Sequence, residues 1–235
     1  MATSVKGGAW TRTEFVDRLR EIGRERYHDK HPFHQRMHRG ELSEKELRRW
    51  IVNRFYYQKS IPIKDAIILS RLDFPEDRRR WIGRVAYHDG TADVAGGIES
   101  WIKLGEAAGM SRGEMQAESR VLPGVRFAVD AYVNFCRLQP VHEAIAASLT
   151  ELFAGDLIAA RIAVFEKHYR WVDPAGLEYF RHRMAQAPAD AEFALEFVLR
   201  SCRDREEQER AVAALRFKCD VLWSMLDAID CAGSA

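Results

Sequence analysis

The chain has almost no excess of charge of either sign: 36 basic residues stand against 35 acidic ones, a formal net of +1. Without a field of one sign there is nothing to draw in nucleic acid or an anionic membrane surface, so an anion site must be a local concentration of arginine and lysine. No apolar run is long enough to span a bilayer, and the N-terminus carries no apolar signal-peptide core. A cytoplasmic protein is expected, with no nucleic-acid and no membrane partner. The four cysteines, Cys136, Cys202, Cys219 and Cys231, show no paired spacing, and the last two, on one helix, would stand roughly 18 Å apart along its axis. Reduced thiols are expected rather than a disulfide framework. No Pro/Gly/Ser-rich linker, low-complexity tract or fixed-period repeat divides the 235 residues. One domain is therefore expected, with about 1–12 and 231–235 as flexible tails.

Strand signals are nearly absent as well, whereas helix punctuation is abundant. Thr11 with Glu14, Ser43 with Glu46, Ser111 with Glu114 and Asp204 with Glu207 match a capping box, and Asp173-Pro174 sets a cap before a proline in the first helical position. The pattern predicts an all-α bundle with helices at about 13–28, 43–72, 75–89, 96–108, 124–138, 141–168, 174–186, 189–203 and 205–230. Pro62 lacks an N–H and its ring opposes the carbonyl of Gln58, so the second helix should kink there.

That helix holds the stretch around which the chain is organised. Arg54, Tyr57, Gln58, Ile61 and Lys64 follow spacings of three and four and form one stripe, flanked by Trp50, Ile51, Phe55, Ile63 and Ile67. Cations and a phenol inside an apolar frame read as a pocket wall. Other helices repeat the theme. Arg84 and His88 share a face near a helix end at Gly90, where the negative end of the helix dipole favours a protonated histidine that could donate a proton. Tyr132 interrupts an apolar helix, Glu151, Ile158 and Arg161 fall along one side of another, Tyr179 and Arg183 stand four apart, and Lys218 interrupts a helix that is apolar almost all round. Unpaired buried charge is strongly unfavourable, so a polyanionic small ligand that offsets these cations together is expected. The histidines His28, His31, His34 and His38 invite a metal reading, but Pro32 should break a helix among them and no carboxylate stands at matching spacing.

These residues carry a resemblance. Asn53-Arg54-Phe55-Tyr56-Tyr57-Gln58 with Ile61-Pro62 and Lys64-Asp65-Ala66, His88-Asp89-Gly90 with Gly96-Gly97-Ile98-Glu99, Leu122-Pro123-Gly124-Val125-Arg126-Phe127, Ser148-Leu149-Thr150-Glu151-Leu152-Phe153, and Phe217-Lys218 with Leu222-Trp223-Ser224-Met225-Leu226-Asp227-Ala228 resemble the pyrroloquinoline quinone (PQQ) synthase family over about 13–230. The resemblance implies a haem-oxygenase-like (TenA-like) helical bundle working as a homodimer without haem, metal or flavin. It implies ring closure of a polycarboxylated bicyclic amino acid quinone, then O₂-dependent oxidation in several steps to PQQ with release of hydrogen peroxide. Carried over by motif position, Arg54, Lys64, Arg84 and Arg161 are expected to hold carboxylates, with Tyr27, His28, Tyr57, Gln58, Tyr132 and Glu151 lining the pocket. His88, Tyr179, Arg183 and Lys218 are expected around the chemistry. One departure is Ile158, where the family commonly places a histidine beside the oxygen site. Two other readings remain open: a non-catalytic carrier of the quinone intermediate, and a metal-dependent oxidase on the same scaffold.

Overall fold

A computed structural model describes residues 8–233. Among the described residues there is no strand, only one isolated bridge between Gly90 and Ala95. The helices are α1 (Arg12–Arg26), α2 (Pro32–His38), α3 (Glu44–Leu69), α4 (Pro75–Asp89), α5 (Gly97–Ala107), α6 (Arg112–Gln116), α7 (Pro123–Leu138), α8 (Val141–Ala146), α9 (Ala154–His168), α10 (Glu178–Ser201) and α11 (Arg205–Cys231). Capping boxes start α1 at Thr11, α3 at Ser43 and α6 at Ser111, each side chain accepting from the third backbone N–H while that glutamate reaches back. No helix among the described residues is long and apolar enough to cross a membrane.

One expectation holds and three are corrected. The helical run is interrupted among the histidines at Pro32, as expected, and Pro32 also begins a new helix, because its missing N–H falls where no intrahelical partner exists and the His31 ring caps the turn by accepting from the Phe33 N–H. The interval 141–168 is not one helix: α8 gives way to a 3₁₀ segment, Ala147–Phe153, before α9 begins. The break predicted between 186 and 189 is absent, since α10 runs through Pro188, with Ala187, Ala191 and Ala194 buried beside it. Packing of that small-residue face against α8, α9 and the 3₁₀ segment overrides the lost backbone hydrogen bond. Part of the predicted N-terminal tail is held: Trp10 donates its N–H to Gln208 at 2.7 Å and lies under Arg205. Residues 1–7 and 234–235 of the predicted tails lie outside the described residues.

The long helices α3 and α11 lie at the centre. α3 packs against α4, α5 and α7, while α11 packs against α1, α7, α8 and the 3₁₀ segment. Cys136, Cys202 and Cys219 are buried thiols and Cys231 an exposed one. Between α3, α7, α9, α10 and α11 the apolar core is interrupted by charge, and a cavity opens there.

Candidate active site

α3 contributes the cavity wall predicted from its stripe: Arg54, Tyr57, Gln58, Ile61 and Lys64 all line it. Tyr27 and His28 enter from the turn between α1 and α2, Arg84 and His88 from α4, Tyr132 from α7, Glu151 from the 3₁₀ segment, Ile158 and Arg161 from α9, and Tyr179 and Arg183 from α10. Lys218 of α11 stands directly behind this lining, its ammonium donating to the Tyr57 hydroxyl at 2.7 Å. The structure thus brings every predicted site residue into one place.

Charge divides the cavity into two halves. In one, cations and carboxylates neutralise each other: Arg84 forms a two-pronged pair with Glu151 at 2.6 and 2.8 Å and reaches Asp65 at 3.3 Å, while Arg183 binds Glu151 at 2.6 Å and Asp190 at 2.8 Å. Lys64 pairs with Asp65 at 2.6 Å and donates to Ser148 at 2.9 Å. Against the pull of burial, Arg84 and Arg183 hold the Glu151 carboxyl down at about 2. Glu151 is therefore ionised, and serves to fix two guanidinium groups rather than to transfer protons.

In the other half the cations lack acidic partners among the described residues. The Arg54 guanidinium lies 4.1 Å from the Tyr57 ring centre, and the Lys218 ammonium lies 3.7 Å from that of Tyr132. Arg161 rests on Trp50 and Phe180, reaches His34 Nε2 at 3.5 Å, and leaves its buried Nε without a partner. Ring faces offset only part of the cost of burying such charges. Burial, reinforced by Arg54 and Lys64, accordingly pushes the Lys218 ammonium well below its usual range, and burial with Arg54 brings Arg161 down to about 10.

The proton-transfer groups differ from expectation at one point. His88 does sit in the last turn of α4, before Gly90 with φ 81°, but burial and the adjacent Arg183 outweigh the helix dipole and lower its pKa to about 3. His88 is therefore neutral, a hydrogen-bonding group rather than a donor of a charged proton, and its buried Nδ1 has no partner. Burial raises the phenols of Tyr27, Tyr57, Tyr132 and Tyr179, keeping them as O–H donors. The Tyr179 hydroxyl donates to Gln58 Oε1 at 2.9 Å.

The model of the TENA/THI-4/PQQC family matches residues 16–228. The chain belongs to that family. It is 50% identical over 221 residues, 94% of this chain and 86% of the other, to a pyrroloquinoline-quinone synthase of Rhizobium meliloti (strain 1021). To the protein of the same name from Pseudomonas aeruginosa (strain LESB58) it is 51% identical over 224 residues, 95% of this chain and 89% of that one. Among solved structures, a TenA homologue from Pseudomonas syringae pv. tomato str. DC3000 superposes with a TM-score of 0.75 at 13% identity, covering 93% of this chain and 91% of that one. A domain with a heme oxygenase-like fold from Shewanella denitrificans OS217 gives 0.74 at 12% identity, covering 94% and 91%. At such identities these two show the fold, which is the haem-oxygenase-like bundle.

Within this TENA/THI-4/PQQC scaffold several contributors were not singled out in the sequence. Ser148 and Thr150 line the cavity because the tighter 3₁₀ turn, not an α-helix, carries them. Asp190 joins Arg183 because seven residues along an unbroken α10 return to the same face. Trp101 packs edge-on against Tyr179 at 4.8 Å between ring centres. The histidines are engaged singly or in pairs: His31 bonds Asp227 at 3.0 Å, and His28 meets His34 at 2.9 Å. Among the described residues no group of three or more His, Cys, Asp or Glu is arranged to hold a metal ion.

Proposed function

We propose that this protein performs the final step of pyrroloquinoline quinone biosynthesis, closing the third ring of a polycarboxylated amino acid quinone and oxidising it with O₂ to PQQ and hydrogen peroxide. The observation that carries the reading is the trio Arg54, Arg161 and Lys218, cations buried or half-buried without carboxylate partners among the described residues. A ligand with several carboxylates supplies what they lack, in forked geometry for the arginines. About 50% identity over nearly the whole chain to proteins named for this synthesis supports the same substrate class.

Roles follow from the chemistry of each group. Arg54 and Arg161 take carboxylates directly. Lys64 and Arg84, already neutralised by Asp65 and Glu151, orient the ligand through whichever donors remain free. Neutral His88, a weak base with a pKa of about 3, hydrogen-bonds the ring being oxidised, and Tyr179, Arg183 and Lys218 donate to negative charge developing on oxygen. Tyr27, His28, Tyr57, Gln58 and Tyr132 shape the remainder. The quinone supplies its own redox chemistry, so the reaction requires O₂ as co-substrate and no added cofactor. The protein is one domain acting as a homodimer in the cytoplasm.

Ile158 favours a second reading, a carrier that holds the intermediate without oxidising it, because an isoleucine in the cavity wall cannot relay a proton. Turnover separates the two. Mixed anaerobically with the quinone precursor, the enzyme forms the ring-closed species; admission of O₂ then yields peroxide and PQQ in the presence of chelator. Tyr179→Phe slows the oxidation by about two to four kcal/mol of barrier and leaves ring closure intact. Binding without peroxide establishes the carrier, and oxidation abolished by chelator establishes the metal-dependent oxidase.

A further inference from the structure

His34 of α2 lies outside the cavity lining, fully buried, yet it touches two groups that form that lining. Its Nδ1 is 2.9 Å from His28 Nδ1 and 3.0 Å from the His28 carbonyl oxygen, and its Nε2 is 3.5 Å from an Arg161 terminal nitrogen. A guanidinium can only donate, so His34 Nε2 must be the bare, accepting nitrogen of its ring. The His34 proton then sits on Nδ1, where it is shared between the His28 carbonyl and His28 Nδ1. His28 Nδ1 in turn has to accept, which leaves the His28 proton on Nε2. The reverse assignment sets a bare His34 Nδ1 against a carbonyl lone pair and an Nε2–H against the guanidinium, two repulsive contacts in a buried site where unmet polar groups are costly. A protonated His34 meets the same clash at Nε2, and a protonated His28 sets two N–H groups against each other 2.9 Å apart. Burial and the nearby Arg54 and Arg161 hold both rings neutral as well.

We infer that His34 is a positioning residue which, keyed by Arg161, fixes His28 in the tautomer that presents Nε2–H to the cavity. Among the described residues that Nε2 has no partner, while the His28 ring forms part of the cavity wall beside Tyr27, 4.3 Å between ring centres. His28 therefore offers a neutral donor to a ligand oxygen, a carboxylate or a quinone carbonyl, and cannot act there as a base. The same contact holds Arg161 in place, so one buried ring couples an anion-holding guanidinium to a hydrogen-bond donor. The tautomer assignment is independent of the reaction; its effect on turnover rests on the synthase reading above.

Long-range proton–nitrogen correlation spectra of the ¹⁵N-histidine-labelled full chain, with the His28 signals identified by their loss in His28→Gln, test the assignment. The expected pattern is a bare His28 Nδ1 and a protonated Nε2 in the wild type. His34→Asn places an amide N–H where Nδ1–H was and keeps that pattern, whereas His34→Phe removes the donor and lets His28 exchange between tautomers. In turnover His34→Phe lowers kcat on the order of 10–100-fold, the usual scale for mispositioned groups, with a smaller change in KM, and His34→Asn recovers most of the loss. A wild-type His28 carrying its proton on Nδ1 overturns the assignment. So does a His34→Phe variant, folded by circular dichroism, that keeps both the His28 spectrum and the wild-type kcat. If the wild type itself fails to turn over the quinone, the synthase reading falls while the spectra still decide the tautomer.

Discussion

Histidines 28, 34 and 88 are buried beside arginines that repel a proton, so the folded chain holds them neutral far below their ordinary value of 6.5. This has a defined consequence for stability. Above pH 6.5 neither the folded nor the unfolded chain protonates them and they contribute no pH dependence. Below it the unfolded chain binds protons that the folded chain refuses, and each histidine lowers stability by about 1.4 kcal/mol per pH unit until its folded pKa is reached. For His88 that limit is about 3. Glu151, held at about 2, adds to the loss only below the ordinary carboxylate value of 4.5, so the window between 6.5 and 4.5 belongs to the histidines. The melting temperature should fall steeply from pH 7 to pH 5, and His88→Gln should make that slope shallower by one group's share. A melting curve unchanged across this range would mean that these rings find protons in the folded state, contrary to their surroundings.

Individual helices were legible where local chemistry decides, and illegible where packing decides. The α3 stripe could be read because it is a matter of spacing on one unbroken helix, and all five of its residues reach the cavity. The starts of α1, α3 and α6 follow from capping boxes, which are short-range. The 3₁₀ segment Ala147–Phe153 and the continuity of α10 could not be read, because each depends on neighbours distant in sequence: Ala147, Ser148, Leu149 and Thr150 are buried against α10 and α11. With α10 broken at Pro188, Asp190 had no reason to face Arg183, and the ion-paired half of the cavity stayed hidden. The interior proline carries its own test. Pro188→Ala restores a backbone donor and a better helix former, worth up to about 3 kcal/mol in a helix interior. Stability should rise, while Arg183 keeps its pair with Asp190 and ligand affinity stays within a few-fold of wild type. A loss of stability would show that Pro188 shapes α10 in a way that the surrounding packing requires.

Across the whole molecule, a net charge of +1 conceals an interior that is far from neutral. Around the cavity six cations, Arg54, Lys64, Arg84, Arg161, Arg183 and Lys218, stand against three carboxylates, Asp65, Glu151 and Asp190, so the rest of the chain must carry a compensating negative balance. The empty protein bears this surplus as a cost to stability, and binding of a polyanion relieves it. Two arginines separate the contributions. Arg84 belongs to the paired half, and Arg84→Met strands Glu151 and Asp65 with fewer partners in the interior, a loss of about 3–5 kcal/mol for a broken buried pair. Arg161 has no carboxylate partner among the described residues, so Arg161→Met removes an uncompensated charge and leaves an apolar stem of similar reach against Trp50 and Phe180. Arg161→Met should therefore melt at the wild-type temperature or above it and yet bind the quinone product more weakly, with a smaller loss of affinity on adding salt than the wild type shows. Arg84→Met should melt well below both. The measurements are melting curves of the empty proteins and ligand titrations at two ionic strengths. If Arg161→Met is as unstable as Arg84→Met, Arg161 has a structural partner in the fold and the surplus-cation account of the cavity is wrong; if its affinity and salt dependence match wild type, the polyanion sits elsewhere.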